Sequence, residues 1–93
     1  MNAVFKALAH PVRRQILEML KEGQKSAGEI ADAFDLSKPT LSGHFAKLRE
    51  ADLIQSDQQG TTIYYRLNAS VLEEAVMAFM SRMNTPKENE RDH

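Results

Sequence analysis

The side chains able to do chemistry in this 93-residue chain are few, and their spacing excludes more than it allows. There is no cysteine, which removes disulfides, thiolate metal sites and thiol redox sensing. The three histidines stand at positions 10, 44 and 93 and give no metal constellation within one chain, although a site shared across a dimer stays open. No serine sits on a nucleophile elbow, no glycine loop is built to cradle phosphate, and no metal-ligating cluster is present, so an enzyme is not expected. What remains is a run of hydroxyls and cations: Ser37, Lys38, Thr40 and Ser42, then Gly43 and His44, then Lys47 and Arg49, with no acid between them. Such groups recognise without covalent chemistry. Hydroxyls read base edges, and lysines neutralise phosphate.

To act together these groups must share one face of a helix. A helical wheel over residues 38–49 gathers Leu41, Phe45 and Leu48 into a buried stripe. The opposite arc holds Pro39, Gly43, Ala46 and Lys47, flanked by Thr40 and Ser42, and is small and polar enough to lie against base edges. His44 falls at the edge of the buried stripe. Two readings stand for it: contact with a phosphate or base, or packing against the body. Ser37 caps this helix and Pro39 sits in its first turn, where a missing N–H is harmless. Just upstream, Ser26 and Glu29 form a capping box that starts another helix, with Ile30, Ala31 and Phe34 inward and Asp35-Leu36 as the turn. Residues 26–48 therefore read as a helix-turn-helix whose second helix enters a DNA major groove.

The flanking segments complete the plan. Residues 2–9 form a short helix with Val4, Phe5 and Leu8 at helical spacing, and Pro11 opens a second helix capped by His10. Val12, Ile16, Met19 and Leu20 make its inner face, and Gly23 stops it near Glu22. His10 as a metal ligand is the rival to the cap, and it lacks neighbouring ligands at suitable spacing. After Asp52, residues 53–55 and 61–67 read as two strands around the turn chemistry of residues 57–60, a β-hairpin set as a wing. The wing tip offers Gln58, Gln59, Thr61 and Thr62 as hydrogen-bonding groups. Asp57 is unfavourable near phosphate, and Arg66 stands well down the strand; a bare hairpin covering the core is the alternative. Asn68 or Ser70 caps a last helix that reaches about Met83. Its apolar band, Val71, Leu72, Ala75, Val76, Phe79, Met80 and Met83, is too wide for one-sided burial, so a second copy of the chain is the expected partner. An all-round buried helix without a dimer role is the bland alternative. The expected interface draws on Val4, Phe5, Leu8, Leu72, Val76, Phe79, Met80 and Met83.

The fold expected is mainly α with a small β-hairpin, a winged helix-turn-helix in the order α-α-α-α-β-β-α. It makes one domain over residues 1–83, with a disordered tail at 84–93. Net charge is −1, yet residues 1–50 carry eight Lys/Arg against six Asp/Glu, and residues 51–93 carry four against seven. A local basic face on a neutral body is compatible with DNA binding. No apolar run approaches the ~20 residues of a membrane span and no signal peptide is evident, so a cytoplasmic protein without direct membrane insertion is expected.

Three segments, FKALAHPVRRQILEML, SAGEIADAFDLSKPTLSGHFAKLREADLI and IYYRL, resemble the ArsR/SmtB family of winged-helix repressors across residues 2–83. Within it, VFKAL, SKPTLS and IYYRLN look most like the metal-independent sporulation-delay autorepressor branch. The resemblance implies a homodimer, formed mainly by the first and last helices, that occupies an operator in double-stranded DNA and represses transcription. It places recognition positions at Ser37, Lys38, Thr40, Ser42, Gly43 and His44, with Lys47 further along. The family's adjacent histidine pair appears here as Gly43-His44, so the first of those contacts is absent. Its metal-sensing patterns are absent too. The third helix reads AGEIADAF without cysteine, and the last reads VLEEAVMAFMSRM, where the carboxylates of Glu73 and Glu74 are adjacent and do not face one another. No metal or cofactor is expected. Derepression by a small molecule, by a membrane-protein antagonist or by the repressor's own concentration all stay open. A protein-interaction module, with the winged helix as scaffold and the last helix as docking surface, is the competing function.

Overall fold

The computed structural model describes residues 2–89. Its elements run α1 (Asn2–Leu8), α2 (Pro11–Leu20), β1 (Lys25–Ser26), α3 (Ala27–Ala31), α4 (Lys38–Glu50), β2 (Ile54–Gln59), β3 (Thr62–Leu67) and α5 (Ala69–Asn89). The winged helix-turn-helix is as expected, with one added strand.

Each helix start has a local cause. His10 is the extended N-cap of α2, its Nδ1 accepting from the Val12 N–H at 3.1 Å, and Pro11 follows at the first helical position. The box at α3 is closed both ways: Glu29 N–H donates to Ser26 Oγ at 3.0 Å, and Ser26 N–H donates to the Glu29 carboxylate at 2.8 Å. Ser37 caps α4 through the Thr40 N–H at 3.3 Å. α1 is too short to be stable alone. Two arginines of α2 hold its last turn, Arg13 donating to the carbonyls of Ala7 (2.8 Å) and Lys6 (3.1 Å) and Arg14 to that of Leu8 (2.7 Å). These are the orphan acceptors of a helix C-terminus, where a cation is also favoured by the dipole.

Helix α4 ends in a Schellman turn. Asp52 N–H bonds Arg49 O at 2.9 Å and Leu53 N–H bonds Leu48 O at 3.0 Å, with Asp52 at φ +60 where glycine is usual. Leu48 and Leu53 flank that turn, and both are fully buried.

Several boundaries differ from the sequence reading. α3 stops at Ala31, so Phe34 lies outside it, half-buried, and residues 32–37 form a longer connection than Asp35-Leu36. The chain tightens there from the i+4 bond of Asp32 N–H to Gly28 O into i+3 bonds of Ala33 to Ile30 and Phe34 to Ala31. Strand β1 pairs Lys25 with Tyr65 and Ser26 with Tyr64, giving sheet order β1-β3-β2. The wing turn is tighter than expected. Gln59 pairs with Thr62, leaving only Gly60-Thr61 between the strands, so Asp57 and Gln58 sit within β2 opposite Tyr64 and Ile63. Gly60 at φ +63 takes the first central position, where a left-handed backbone matches the strand twist. α5 continues past Met83 to Asn89, so its helical span overlaps residues 84–89 of the expected tail. The rest of the proposed tail, residues 90–93, lies outside the described residues.

The core gathers Ile16, Leu17 and Leu20 of α2, Ile30 of α3, Leu41, Phe45 and Leu48 of α4, and Leu53, Ile54 and Tyr65 of the sheet. Phe45 stacks on Tyr65 at 4.3 Å between centroids, tying α4 to the wing. Val4 and Ala7 of α1 enter this core, as does Ala75 of α5. Val4 was expected at a dimer interface. It is 6% exposed because α1 turns that side onto its own chain, and it is withdrawn from the interface set.

Candidate nucleic-acid interface

The wheel drawn over α4 survives folding on both sides. Leu41, Phe45 and Leu48 are buried at its back. Lys38, Pro39, Thr40, Ser42, Gly43 and Lys47 are exposed at its front, with Ala46 half-buried. A Cβ built on Gly43 meets nothing within 4 Å, so the middle of this face is flat and open. Ser37 spends its hydroxyl locally. It accepts from the Thr40 N–H and donates to Thr40 Oγ1 at 2.9 Å, which leaves the Thr40 hydroxyl proton free to be donated outward. Ser37 thus positions Thr40, and Thr40 and Ser42 carry the outward hydroxyls on either side of Gly43. Lys38 and Lys47 place an exposed cation at each end of this face.

His44 does not belong to that face. It is 9% exposed, its Nδ1 lies 3.2 Å from Arg13 Nη1, and its ring meets that of His10 at 4.5 Å with a 56° tilt. Of its two readings the fold selects packing against the body. Burial, with His10 and Arg13 beside it, holds its pKa below the usual histidine value. Two of the three histidines, His10 and His44, are nevertheless in ring contact, which their sequence spacing does not announce. They do not form a metal site. The Nδ1 of His10 is committed to its cap, and among the described residues no group of three or more His, Cys, Asp or Glu could hold a metal ion.

The wing offers less than its composition suggests. Gln58 donates its amide to Gly60 O at 3.3 Å, and Gln59 donates to Asp57 Oδ2 at 3.0 Å. Both amides are turned partly onto the wing itself, the second onto the Asp57 carboxylate. Thr61 is exposed at the tip, Thr62 is half-buried, and Arg66 is exposed on β3 opposite Gln55.

A second surface is built by α1 and α5. Phe79 of α5 meets Phe5 of α1 at 5.7 Å, tilted by 58°. Around them Val76, Phe79, Met80 and Met83 remain 42–58% exposed, while Leu8 and Leu72 are half-buried against the core. Met77 at 70% exposure was missed from the sequence set because it lies to one side of the stripe. Sequence reasoning also missed Arg13 as a bridge, since nothing local marks an arginine as reaching 31 residues along the chain. No helix among the described residues is long and apolar enough to cross a membrane.

Comparison with known proteins agrees with this geometry. Residues 10–56 match the family described as bacterial regulatory protein, arsR family. The chain is 43% identical over 84 residues to the transcriptional repressor SdpR of Bacillus subtilis, covering 90% of this chain and 93% of that one. It is 33% identical to a biofilm growth-associated repressor of Agrobacterium fabrum, covering 92% and 74% of the two chains. The crystal structure of an ArsR family transcriptional regulator superposes with a TM-score of 0.86 at 29% identity, covering 94% of this chain and 89% of the other. These relatives are regulators rather than enzymes. On the fold, the exposed hydroxyl-and-lysine helix and these matches, the chain belongs to the ArsR family of winged helix-turn-helix, DNA-binding transcriptional regulators.

Proposed function

We propose that this transcriptional repressor works as a homodimer on an inverted-repeat operator, is autoregulatory, and responds to no metal. One observation carries the DNA-reading part. The front of α4 is flat at Gly43, lined by Thr40 and Ser42, and ended by Lys38 and Lys47, while its back is anchored in the core. Base contacts come from Thr40 and Ser42, and backbone contacts from Lys38, Lys47 and, more weakly, Thr61 and Thr62 of the wing. The exposed apolar stripe of α5, with Phe5 beside it, supports pairing with a second copy. Two such units place their reading helices in successive major grooves, with half-sites about one helical turn, roughly 34–36 Å, apart or a multiple of that. The reading of a switch that is not a metal rests on the sequence, in which α3 carries no cysteine and the carboxylates of Glu73 and Glu74 do not face one another. A membrane-protein antagonist draws no support from the fold or the relatives and is not carried forward. We place its action in the cytoplasm.

The test is fluorescence anisotropy on the upstream DNA over a salt series, paired with sedimentation. Salt-sensitive, competitor-resistant binding by a dimer is expected, and Lys47→Ala lowers the salt slope by about 0.9 if Lys47 meets one phosphate. Absence of specific binding refutes the reading. The competing interaction module, favoured by the exposed apolar α5, predicts a monomer without DNA affinity.

A further inference from the structure

Arg13 stands where three elements meet. From α2 its Nε and Nη2 donate to the carbonyls of Ala7 and Lys6 in the last turn of α1. Its remaining nitrogen, Nη1, lies 3.2 Å from His44 Nδ1 on the inner side of α4. A guanidinium only donates, so Nδ1 of His44 must accept, and the imidazole must be neutral with its proton on Nε2. One planar fork therefore joins the helix beside the α5 stripe to the helix that carries the reading face. Lysine could not replace it, because a single ammonium cannot serve three acceptors at fixed angles.

We propose that Arg13, acting through a neutral His44, is a positioning residue that sets the seat of α4 against α1, so that DNA affinity depends on this contact and on His44 staying unprotonated. The proposal rests on the reading of α4 as the DNA-reading helix and α1 as part of the dimer.

The surroundings favour such dependence. The charged and titratable groups that face His44 are His10 and Arg13, both from the α2 side; beyond Arg13 stand Lys6 of α1 and Lys47 and Glu50 of α4. The latter three line, with Arg13, a cleft of about 460 Å³ between α1 and α4. A proton on His44 removes the acceptor and sets two cations 3.2 Å apart, and among the described residues Arg13 has no carboxylate in ion-pair contact. Burial already biases His44 toward its neutral form. As pH falls below 6.5, an imidazole released from this seat takes its proton before the seated one, so the seated arrangement loses ground.

The experiment uses the full chain and a labelled duplex of the upstream region, titrated by anisotropy at constant ionic strength from neutral pH to well below 6.5. Circular dichroism and sedimentation at each pH establish folding and oligomeric state. Wild type is expected to lose affinity on acidification, while His44→Gln, a neutral acceptor at every pH, flattens the profile. Arg13→Lys, folded, is expected to bind roughly two- to thirtyfold more weakly at neutral pH, the range of a mutation that disturbs coupling between elements. His10→Asn, which keeps a capping group but removes one cause of the lowered His44 pKa, is expected to lessen the acid loss less than His44→Gln does, because burial and Arg13 remain. A profile as flat as that of His44→Gln assigns the effect to His10 and overturns the proposal. If Arg13→Lys does not fold, the His44→Gln profile decides alone. A His44→Gln profile that keeps the wild-type slope overturns the proposal, and so does a folded Arg13→Lys protein that binds as wild type does. Failure of wild type to bind at neutral pH refutes the DNA-reading function instead.

Discussion

Replacing Gly43 by alanine separates what α4 needs to fold from what it needs to read. Gly43 lies inside a 13-residue helix, exposed, and a Cβ added there meets nothing within 4 Å. No packing is lost and no clash arises, so the propensity difference should appear in full. Glycine in a helix interior is about 1 kcal/mol less favourable than alanine. For a domain of this size that corresponds to a rise of about 4–8 °C in melting temperature. Melts must be compared at one protein concentration, because a dimer's midpoint depends on it. On DNA the sign reverses. The new methyl stands between Thr40 and Lys47 on the face proposed to lie against base edges. Forcing an extra carbon into a close-packed contact costs about 1–3 kcal/mol, roughly five- to 150-fold in affinity. Calorimetry and anisotropy on the same sample read both effects. Unchanged affinity refutes close approach at Gly43, and a lowered melting temperature refutes the open exposed face on which the estimate rests.

Further outcomes follow from the same contacts. Asp52 is held at φ +60 in the turn ending α4, so Asp52→Gly should raise the urea midpoint slightly, whereas Asp52→Val should lower stability by about 1–2 kcal/mol. Leu48 is fully buried against the core, and Leu48→Ala should cost about 3–5 kcal/mol in denaturant unfolding. His44 has a lowered pKa when folded, so the unfolded chain binds the extra proton first. Stability measured by urea should therefore hold above pH 6.5 and decline below it until the folded pKa is passed, with less decline in His44→Gln. Met80, 54% exposed on the α5 stripe, should shift the sedimentation equilibrium toward monomer when changed to glutamate, and an unaltered dimer would move the interface elsewhere.

Much of the reading face was legible because its causes are local. The stripe of Leu41, Phe45 and Leu48 repeats at helical period, and Ser37 and Pro39 mark where the period starts. The wing was legible as two strands, but not in its turn. Four turn-forming residues from Asp57 to Gly60 look alike in sequence, and the pairing of Gln59 with Thr62 selects the two-residue solution. Strand β1 was not legible at all, since two residues carry no period and exist as a strand only through Tyr64 and Tyr65. The apolar band of α5 was visible, yet its division into a seated Ala75 and an exposed Val76, Phe79, Met80 and Met83 required the body it lies on.

By itself the sequence determined where α2, α3 and α4 begin and which side of α4 is apolar and which polar, because caps and periodicity act within a few residues. Tertiary structure alone decided that Val4 turns inward, that His44 leaves the reading face, and that Arg13 meets it from 31 residues away. The reason is physical. A side chain at the margin of a helix stripe has two environments of similar local cost, and only the partners brought by distant segments, here the guanidinium of Arg13 and the ring of His10, make one of them lower.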